Sequence, residues 1–486
     1  MRRVRSIMVA VLCGATTLDA QVQSGGAAVE QVLRSLEAKR AAYADIAQQI
    51  WSFAEVGYQE EKSSALLQSQ LRAAGFDVRS GVAGMPTAFV ASWGTGKPVV
   101  AIVGEFDALP GLSQKALPTR DAIQEGAPGH ACGHHLFGTG SSAAAIAVKE
   151  WLQHNRRAGT IRFYGTPAEE GGAGKVYMIR AGLFTDVDAV IAWHAADRND
   201  VSPVSNLANI SAKFRFRGVS AHAAAAPDKA RSALDGVEAM NAMVNMLREH
   251  VPQETRIHYV ITQGGRAPNV VPDVAEVYYY ARNPDMRVLD GIWDRIVNAA
   301  KGAALGTGTT VEEESLGAVY NVLPNDYLAS LQRKNLVRVG GVRYTPEERA
   351  FAETIRKTLS GGDDLLPLGS EAEIQPVRSV ITYASTDMGD VSWTVPTVQL
   401  SAATWVPGTA AHSWQAVAAG GTSIGAKGMM VAAKTMTLTA IDLFSDPSHI
   451  AKARAEFDRK RGAAFVYKSR LGRDKPMLDY RKGTTN

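Results

Sequence analysis

The sequence predicts an α/β protein in two parts: a discontinuous larger domain with a mixed sheet and flanking helices, and an inserted ferredoxin-like α+β module. Three observations predict it. Strand-like and helix-like stretches alternate from Thr87 to His194, the pattern of an α/β sheet. The order then becomes β-α-β-β-α-β between Ala212 and Glu314, that of a four-stranded antiparallel sheet with two helices on one face. Apolar strands and a long helix resume after Ser379, so the larger domain closes only after the insertion.

Two amphipathic helices lead, with Val29, Val32, Leu33 and Leu36, then Leu66, Leu67 and Leu71, at helical spacing. The β-rich runs Thr87 to Ser92 and Val99 to Val103 predict strands. A helix over Ser141 to His154, a strand Thr160 to Tyr164, a helix Gly174 to Ala181 and a strand Ala189 to His194 follow. Residues 21–205 thus form the first part of the larger domain. The insertion, 206–321, holds strand Ala212 to Arg217, helix Arg231 to Val251, strands Arg256 to Thr262 and Ala275 to Arg282, helix Val288 to Ala304 and strand Thr309 to Glu314. Residues 322–445 complete the larger domain through strands Ser379 to Ala384 and Thr397 to Ser401 and helix Ile424 to Phe444. The tail, 446–486, carries eleven Lys or Arg against five Asp or Glu. It reads as a solvated basic segment packed in part through Phe457, Phe465, Val466 and Tyr467.

Composition bounds the function. With 486 residues, 46% hydrophobic and 21% charged, the chain is globular and large enough for a core without disulfides. A net charge of +4 lacks the concentrated basicity of a nucleic-acid binder. At the amino terminus Arg2, Arg3 and Arg5 precede an apolar run from Ile7 to Cys13, with a small-residue cleavage site after Ala20. Residues 1–20 therefore predict a signal peptide and a periplasmic or secreted product; without export the protein is cytoplasmic. Cleavage leaves Cys132 as the only cysteine, with no intramolecular disulfide available. No later stretch approaches about 18 apolar residues, so no membrane span is expected after signal removal.

The chemistry concentrates at strand ends. His130-Ala131-Cys132-Gly133-His134-His135 precedes a helix, Glu169-Glu170-Gly171-Gly172 follows a strand, His194 closes the next strand, and His412 lies in a Gly- and Ser-containing loop. Ligands of open α/β sheets bind beyond the carboxyl ends of strands. Thiolate, imidazole and carboxylate together suit zinc, manganese or cobalt, with sulfur favouring zinc. Cys132, His134, Glu170, His194 and His412 exceed the four ligands of one structural zinc and suit two divalent ions. Glu169 is then the spare carboxylate, placed to act as general base toward an attacking water and to pass the proton to a leaving nitrogen.

Six segments carry a family resemblance: EFDALPGLSQKA (Glu105–Ala116), GHACGHHLFGTGS (Gly129–Ser141), GTPAEEGGAGKVYM (Gly165–Met178), GVSAHAAAAP (Gly218–Pro227), APNVVP (Ala267–Pro272) and STDMGDVSW (Ser385–Trp393). Together, in order and within a likeness spanning about four-fifths of the chain, they resemble the amidohydrolase branch of the aminoacylase and carboxypeptidase G family of dinuclear metallopeptidases. The resemblance implies a catalytic domain split by a dimerisation (lid) domain. It implies the same five metal ligands and the same base, Glu169. It further implies that His222 of the GVSAH segment reaches into a partner's site to steady the tetrahedral intermediate, and that Asn269 and Arg282 hold a substrate carboxylate. The expected activity is hydrolysis of N-acyl or N-aroyl amino acids, with aroyl-glutamates such as p-aminobenzoyl-glutamate leading. The expected assembly is a homodimer, with a related second subunit as the other arrangement. A dipeptidase, which requires a free amine, and a non-catalytic periplasmic binder on the same fold are the alternatives; an intact Glu169 speaks against the binder. His135 departs from the Asp or Asn common after the CGH histidine and is not counted as a ligand. Glu105 and Asp107 lie near the site in the family pattern, with no role assigned.

Overall fold

The computed structural model describes residues 29–362, 365–472 and 475–482. The expected signal segment, including Cys13, lies outside them. Helices α1 (29–38), α2 (Arg40–Phe53) and α3 (Glu61–Ala73) lead into β1 (Asp77–Ser80), β2 (Phe89–Thr95) and β3 (Val99–Gly104). Helix α4 (His134–His154), β4 (Gly159–Gly165), α5 (Gly174–Arg180) and β5 (Ala189–Ala196) follow. The insertion holds β6 (Ala208–Arg217), α6 (Ala233–Leu247), β7 (Arg256–Gln263), β8 (Val274–Asn283), α7 (Met286–Thr307) and β9 (Thr310–Val319). The chain then forms α8 (Asp326–Val339), α9 (Pro346–Arg356), α10 (Met388–Ser392), β10 (Thr397–Ala403), α11 (Trp414–Gly420), α12 (Ser423–Ser445) and α13 (Pro447–Arg461).

A six-stranded mixed sheet runs in the order β1-β2-β4-β3-β5-β10. Strands β4, β3, β5 and β10 are parallel, while β2 is antiparallel to β4. Strand β3, VVAIVG, is buried at every position, as a central parallel strand covered on both faces must be. Helices α4 and α12 pack on each other and against these strands, and their rich content of Ala and Gly allows close approach. The larger core extends from Val32 to Ala453 and includes residues from both sides of the insertion.

The inserted module is an antiparallel sheet in the order β7-β8-β6-β9 with α6 and α7 packed on it. Helix α7 buries Leu289, Ile292, Trp293 and Ile296, the one-face spacing that seats a helix on a sheet. Its core is separate from the larger one. Edge strand β7 buries only Ile257; Tyr259, Val260 and Ile261 are exposed, as are Met243 and Met246 of α6.

Three departures from the sequence reading affect the site. Helix α4 begins at His134 rather than Ser141, so the histidine pair occupies its first turn. The expected strand Ser379 to Ala384 is instead a loop with one isolated bridge, Asn206 to Thr382; Val380 and Tyr383 are exposed rather than fitted into a ladder. The tail packs more extensively than the partly packed, solvated segment expected. Helix α13 buries Phe457, Phe465 and Tyr467 pack on the core of the inserted module, and the chain runs on across the larger domain, although Val466 is exposed. Among the described residues no helix is long and apolar enough to cross a membrane.

Candidate metal centre

The parallel strands deliver their following residues to one edge of the sheet. Glu105 and Asp107 follow β3, Glu169 and Glu170 follow β4, His194 lies near the end of β5, and His412 is in the loop after β10. Cys132 and His134 arrive from the turn into α4. That turn depends on Gly133, whose φ of 73° is left-handed and where any Cβ would overlap the Ala195 side chain.

The five expected ligands converge as two trios that share Cys132. Potential ligand atoms of Cys132, His134 and His194 lie within 4.8 Å of one another, as do those of Cys132, Glu170 and His412. Glu105, His134 and Glu169 form a third such group. Cys132 Sγ is 3.6 Å from His194 Nε2. His134 Nε2 lies 3.0 Å from Glu105 Oε2, and His412 Nε2 lies 3.2 Å from Glu170 Oε1. These approaches lack hydrogen-bond alignment: Glu105 Oε2, His134 Nε2 and Glu170 Oε1 are buried without a hydrogen-bond partner. Sulfur, imidazole and carboxylate donors converging with orphaned atoms fit a pair of divalent cations.

Hydrogen bonds to the far atoms aim the ligands inward. His134 Nδ1 donates to Asp107 Oδ1 at 2.8 Å, and His194 Nδ1 donates to the Ala195 carbonyl at 2.8 Å, leaving each Nε2 facing the cluster. Asp107 Oδ2 accepts from the Glu170 backbone N–H at 2.9 Å, so one carboxylate orients two ligands. The His412 backbone N–H donates to the Ala131 carbonyl, tying its loop to the cysteine turn. His412 and Ala168 both take left-handed backbone conformations, φ 59° and 57°, strain of about 1–3 kcal/mol each that is typical of functional loops.

Electrostatics point the same way. Glu105, Glu169 and Asp387 surround one buried ammonium, Lys175, which contacts Glu105 at 2.7 Å and Asp387 at 2.6 Å. Burial pushes the Lys175 ammonium down, but Asp387 and Glu105 outweigh it and hold the group above its usual range. Burial, then repulsion from Glu105, Glu170 and Asp387, hold the Glu169 carboxyl well above the carboxylate range. Bound cations would draw it down again. Burial also pushes the Cys132 thiol up, reinforced by Glu170, so forming its thiolate calls for a cation beside it. His194 is pushed down to about 4 by burial and by His134, which keeps its ring neutral and available as a ligand.

A cavity of about 820 Å³ is lined by Cys132, Glu169, Glu170, His194 and His412 of the larger domain and by Arg282 of the inserted module. Arg282 Nη1 donates to Ser385 Oγ at 3.2 Å, and its buried Nε has no partner. Asn209, paired with Arg282 across β6 and β8, lines the same cavity. Asn269 and His222 do not join them. Both are exposed and share a different part of the inserted module, where the Ala223 N–H donates to the Asn269 carbonyl and His222 bridges Val270. Within one chain, therefore, Asn269 and Arg282 do not form a pair.

His135 stays outside the cluster. Its Nε2 donates to the Gly420 carbonyl at 3.1 Å, its ring lies 5.0 Å from that of His130, and burial pushes it to about 3. Sequence reasoning missed Lys175 and Asp387, although both lie inside the quoted segments; a lysine five residues after the GTPAEE run was the available clue. It also missed Glu60, fully buried, whose carboxylate accepts from the Ala168 N–H at 2.8 Å, and Tyr58, whose hydroxyl donates to the Gly172 carbonyl at 2.6 Å.

Comparison with known proteins adds the family context. The model of a family described as peptidase family M20/M25/M40 matches residues 101–413. The B subunit of the p-aminobenzoyl-glutamate hydrolase of Escherichia coli (strain K12) is 43% identical over 449 residues, covering 87% of this chain and 93% of that protein. The Xaa-Arg dipeptidase of Mus musculus is 30% identical over 427 residues, covering 85% and 88%. The crystal structure of a dinuclear metal-binding peptidase of the M20 family from Bacillus subtilis shares the fold, with a TM-score of 0.56 at 17% identity over 84% of this chain and 99% of that one.

Proposed function

The chain belongs to peptidase family M20/M25/M40, whose members are metal-dependent hydrolases of amide bonds, and from that premise we propose that it cleaves N-acyl or N-aroyl amino acids, p-aminobenzoyl-glutamate foremost. The observation that carries the proposal is the pair of ligand trios sharing Cys132, with the protonatable Glu169 beside them in a cavity that Arg282 also lines. Cys132, His134 and His194 would hold one cation and Cys132, Glu170 and His412 the other. Divalent ions held there supply Lewis-acid polarisation of the scissile carbonyl and lower the pKa of the attacking water. Glu169 takes the proton from that water and returns it to the leaving nitrogen. Arg282 grips the free carboxylate of the amino acid through its planar guanidinium, with Asn209 and Ser385 lining the same pocket. The thiolate favours zinc, and the carboxylates equally accept manganese.

A dipeptidase reading requires an acid to receive the substrate ammonium. The other acids lining the cavity are engaged, Asp200 with Arg378 at 2.8 Å and Asp387 with Lys175. That favours an acylated nitrogen over a free amine.

The proposed assembly is a homodimer through the inserted module. Exposed Tyr259, Val260 and Ile261 on the edge strand offer an unpaired ladder to a second copy. His222 and Asn269, exposed and away from their own cavity, are then available to the site of the other copy. A related second subunit remains the other arrangement, since the Escherichia coli relative is named as one subunit of its hydrolase.

The test is a panel of N-aroyl and N-acyl amino acids and free dipeptides, assayed on purified protein before and after chelation and with zinc or manganese restored. Metal-dependent cleavage of aroyl-glutamate ahead of the dipeptides is expected. Preference for dipeptides, or cleavage that survives removal of all metal, would overturn the proposal.

A further inference from the structure

The carboxyl-terminal tail crosses both domains and ends on the candidate catalytic loop. From α13 it passes to the inserted module, where the Tyr320 hydroxyl donates to the Lys468 carbonyl at 2.9 Å and Arg470 pairs with Asp290 of α7 at 2.6 Å. It then returns to the larger domain. There the Tyr177 hydroxyl donates to the Lys475 carbonyl at 3.2 Å, and the Gln59 side-chain amide donates to the Leu478 carbonyl at 2.8 Å.

The last described turn meets the loop that carries Glu169 and Glu170. The Tyr480 hydroxyl donates to the Glu170 carbonyl at 3.0 Å, and Arg481 Nη2 donates to the same oxygen at 2.7 Å, filling both lone pairs. The Tyr480 ring packs edge-on against Tyr58, centroids 5.7 Å apart, and Tyr58 holds the Gly172 carbonyl two residues further on. A Cβ at Gly57 would overlap the Tyr480 hydroxyl, so the turn before α3 leaves room for it. Arg481 also lines the cavity.

The Glu170 peptide is therefore held from two directions: its N–H by Asp107 from within the ligand cluster, and its carbonyl by the tail from outside. The loop needs such restraint. Ala168 and Ala173 are in left-handed conformations, and Gly171 has φ 102°, so the local sequence alone does not prefer this path. The loop carries both a ligand and the base, and small displacements of such groups are costly to rate.

We propose that Tyr480 and Arg481 are positioning residues for the loop carrying Glu169 and Glu170, so that the tail completes the active site. This rests on the reading of Glu169 as general base. Tyr480→Phe, Arg481→Lys, Arg481→Ala and the double variant Tyr480→Phe/Arg481→Ala are compared in the full chain loaded with zinc or manganese. Turnover, metal content, Tm and hydrogen exchange of the peptide covering 166–178 are measured. In the double variant kcat is expected to fall about ten- to hundredfold with KM within about twofold. Metal content and Tm stay close to the parent, and the loop peptide exchanges faster. Arg481→Lys, which keeps a donor, retains most of the turnover that Arg481→Ala loses.

Parental kcat together with parental exchange in the double variant would overturn the proposal. So would a rise in KM alone, which would make Arg481 a substrate contact, or a fall in Tm large enough to unfold the protein at assay temperature that Arg481→Lys shares. Exchange needs no substrate. If the parent cleaves no member of the amide panel, the proposed activity fails while the exchange comparison still decides the loop.

Discussion

At the scale of single residues, neighbours in sequence divide the work. Glu169 and Glu170 are adjacent, yet Glu170 has His412 against its carboxylate, which together with His134 lowers its pKa despite burial, whereas burial and then neighbouring carboxylates raise that of Glu169. Removing each group should therefore give a different signature. Glu169→Ala is expected to lower kcat by roughly 10²–10⁴ or more while metal content by elemental analysis stays near that of the parent. Cys132→Ala, which takes a donor from both trios, is expected to lose metal first and activity with it. Retained turnover in the first variant, or full metal content in the second, would count against these roles. The motif made Cys132 and His134 legible as metal-ligating types. Their aim was not legible, because it is set by Asp107 at the far ring nitrogen of His134 and by a left-handed Gly133 between the two.

At the scale of elements, a parallel sheet places the ends of β3, β4, β5 and β10 along one edge, and four separate strand-to-loop junctions thereby share one site. The periodicity of β5 located His194 near a strand end without needing the sheet order. The expected strand over Ser379 to Ala384 had the right residue types but no neighbour to pair with, since a ladder is a property of two segments. Strand β7 is the converse case, a paired strand with one free edge. If that edge joins two copies, Val260→Lys should place a charge in the joined ladder and convert the dimer to monomers on analytical ultracentrifugation, with Tm of the isolated chain changed little. A dimer that survives this change, and a matching change at Ile261, would move the interface elsewhere.

At the scale of the whole molecule, the cavity belongs to both domains, lined by the candidate ligands of the larger domain and by residues of the inserted module. His222 lies outside the cavity of its own chain, so the proposed dimer carries a direct test. Mixing equal amounts of inactive Glu169→Ala and inactive His222→Ala subunits should restore up to about a quarter of parental turnover once subunits exchange, because half the dimers are mixed and one of the two sites in each is intact. No recovery after demonstrated exchange would remove His222 from the partner's site. The sequence by itself determined the fold class, the element order and the cluster of ligand types, because hydrophobic period, turn residues and metal-ligating side chains act over a few residues each. The tertiary structure decided which groups share Cys132, the burial of Lys175 against Asp387 across 212 residues, and the path that brings Tyr480 to Glu170 across 310. Those contacts join segments whose separation no local pattern encodes; they exist because both ends are packed against the same sheet edge, where an unpaired buried charge or carbonyl must find its partner.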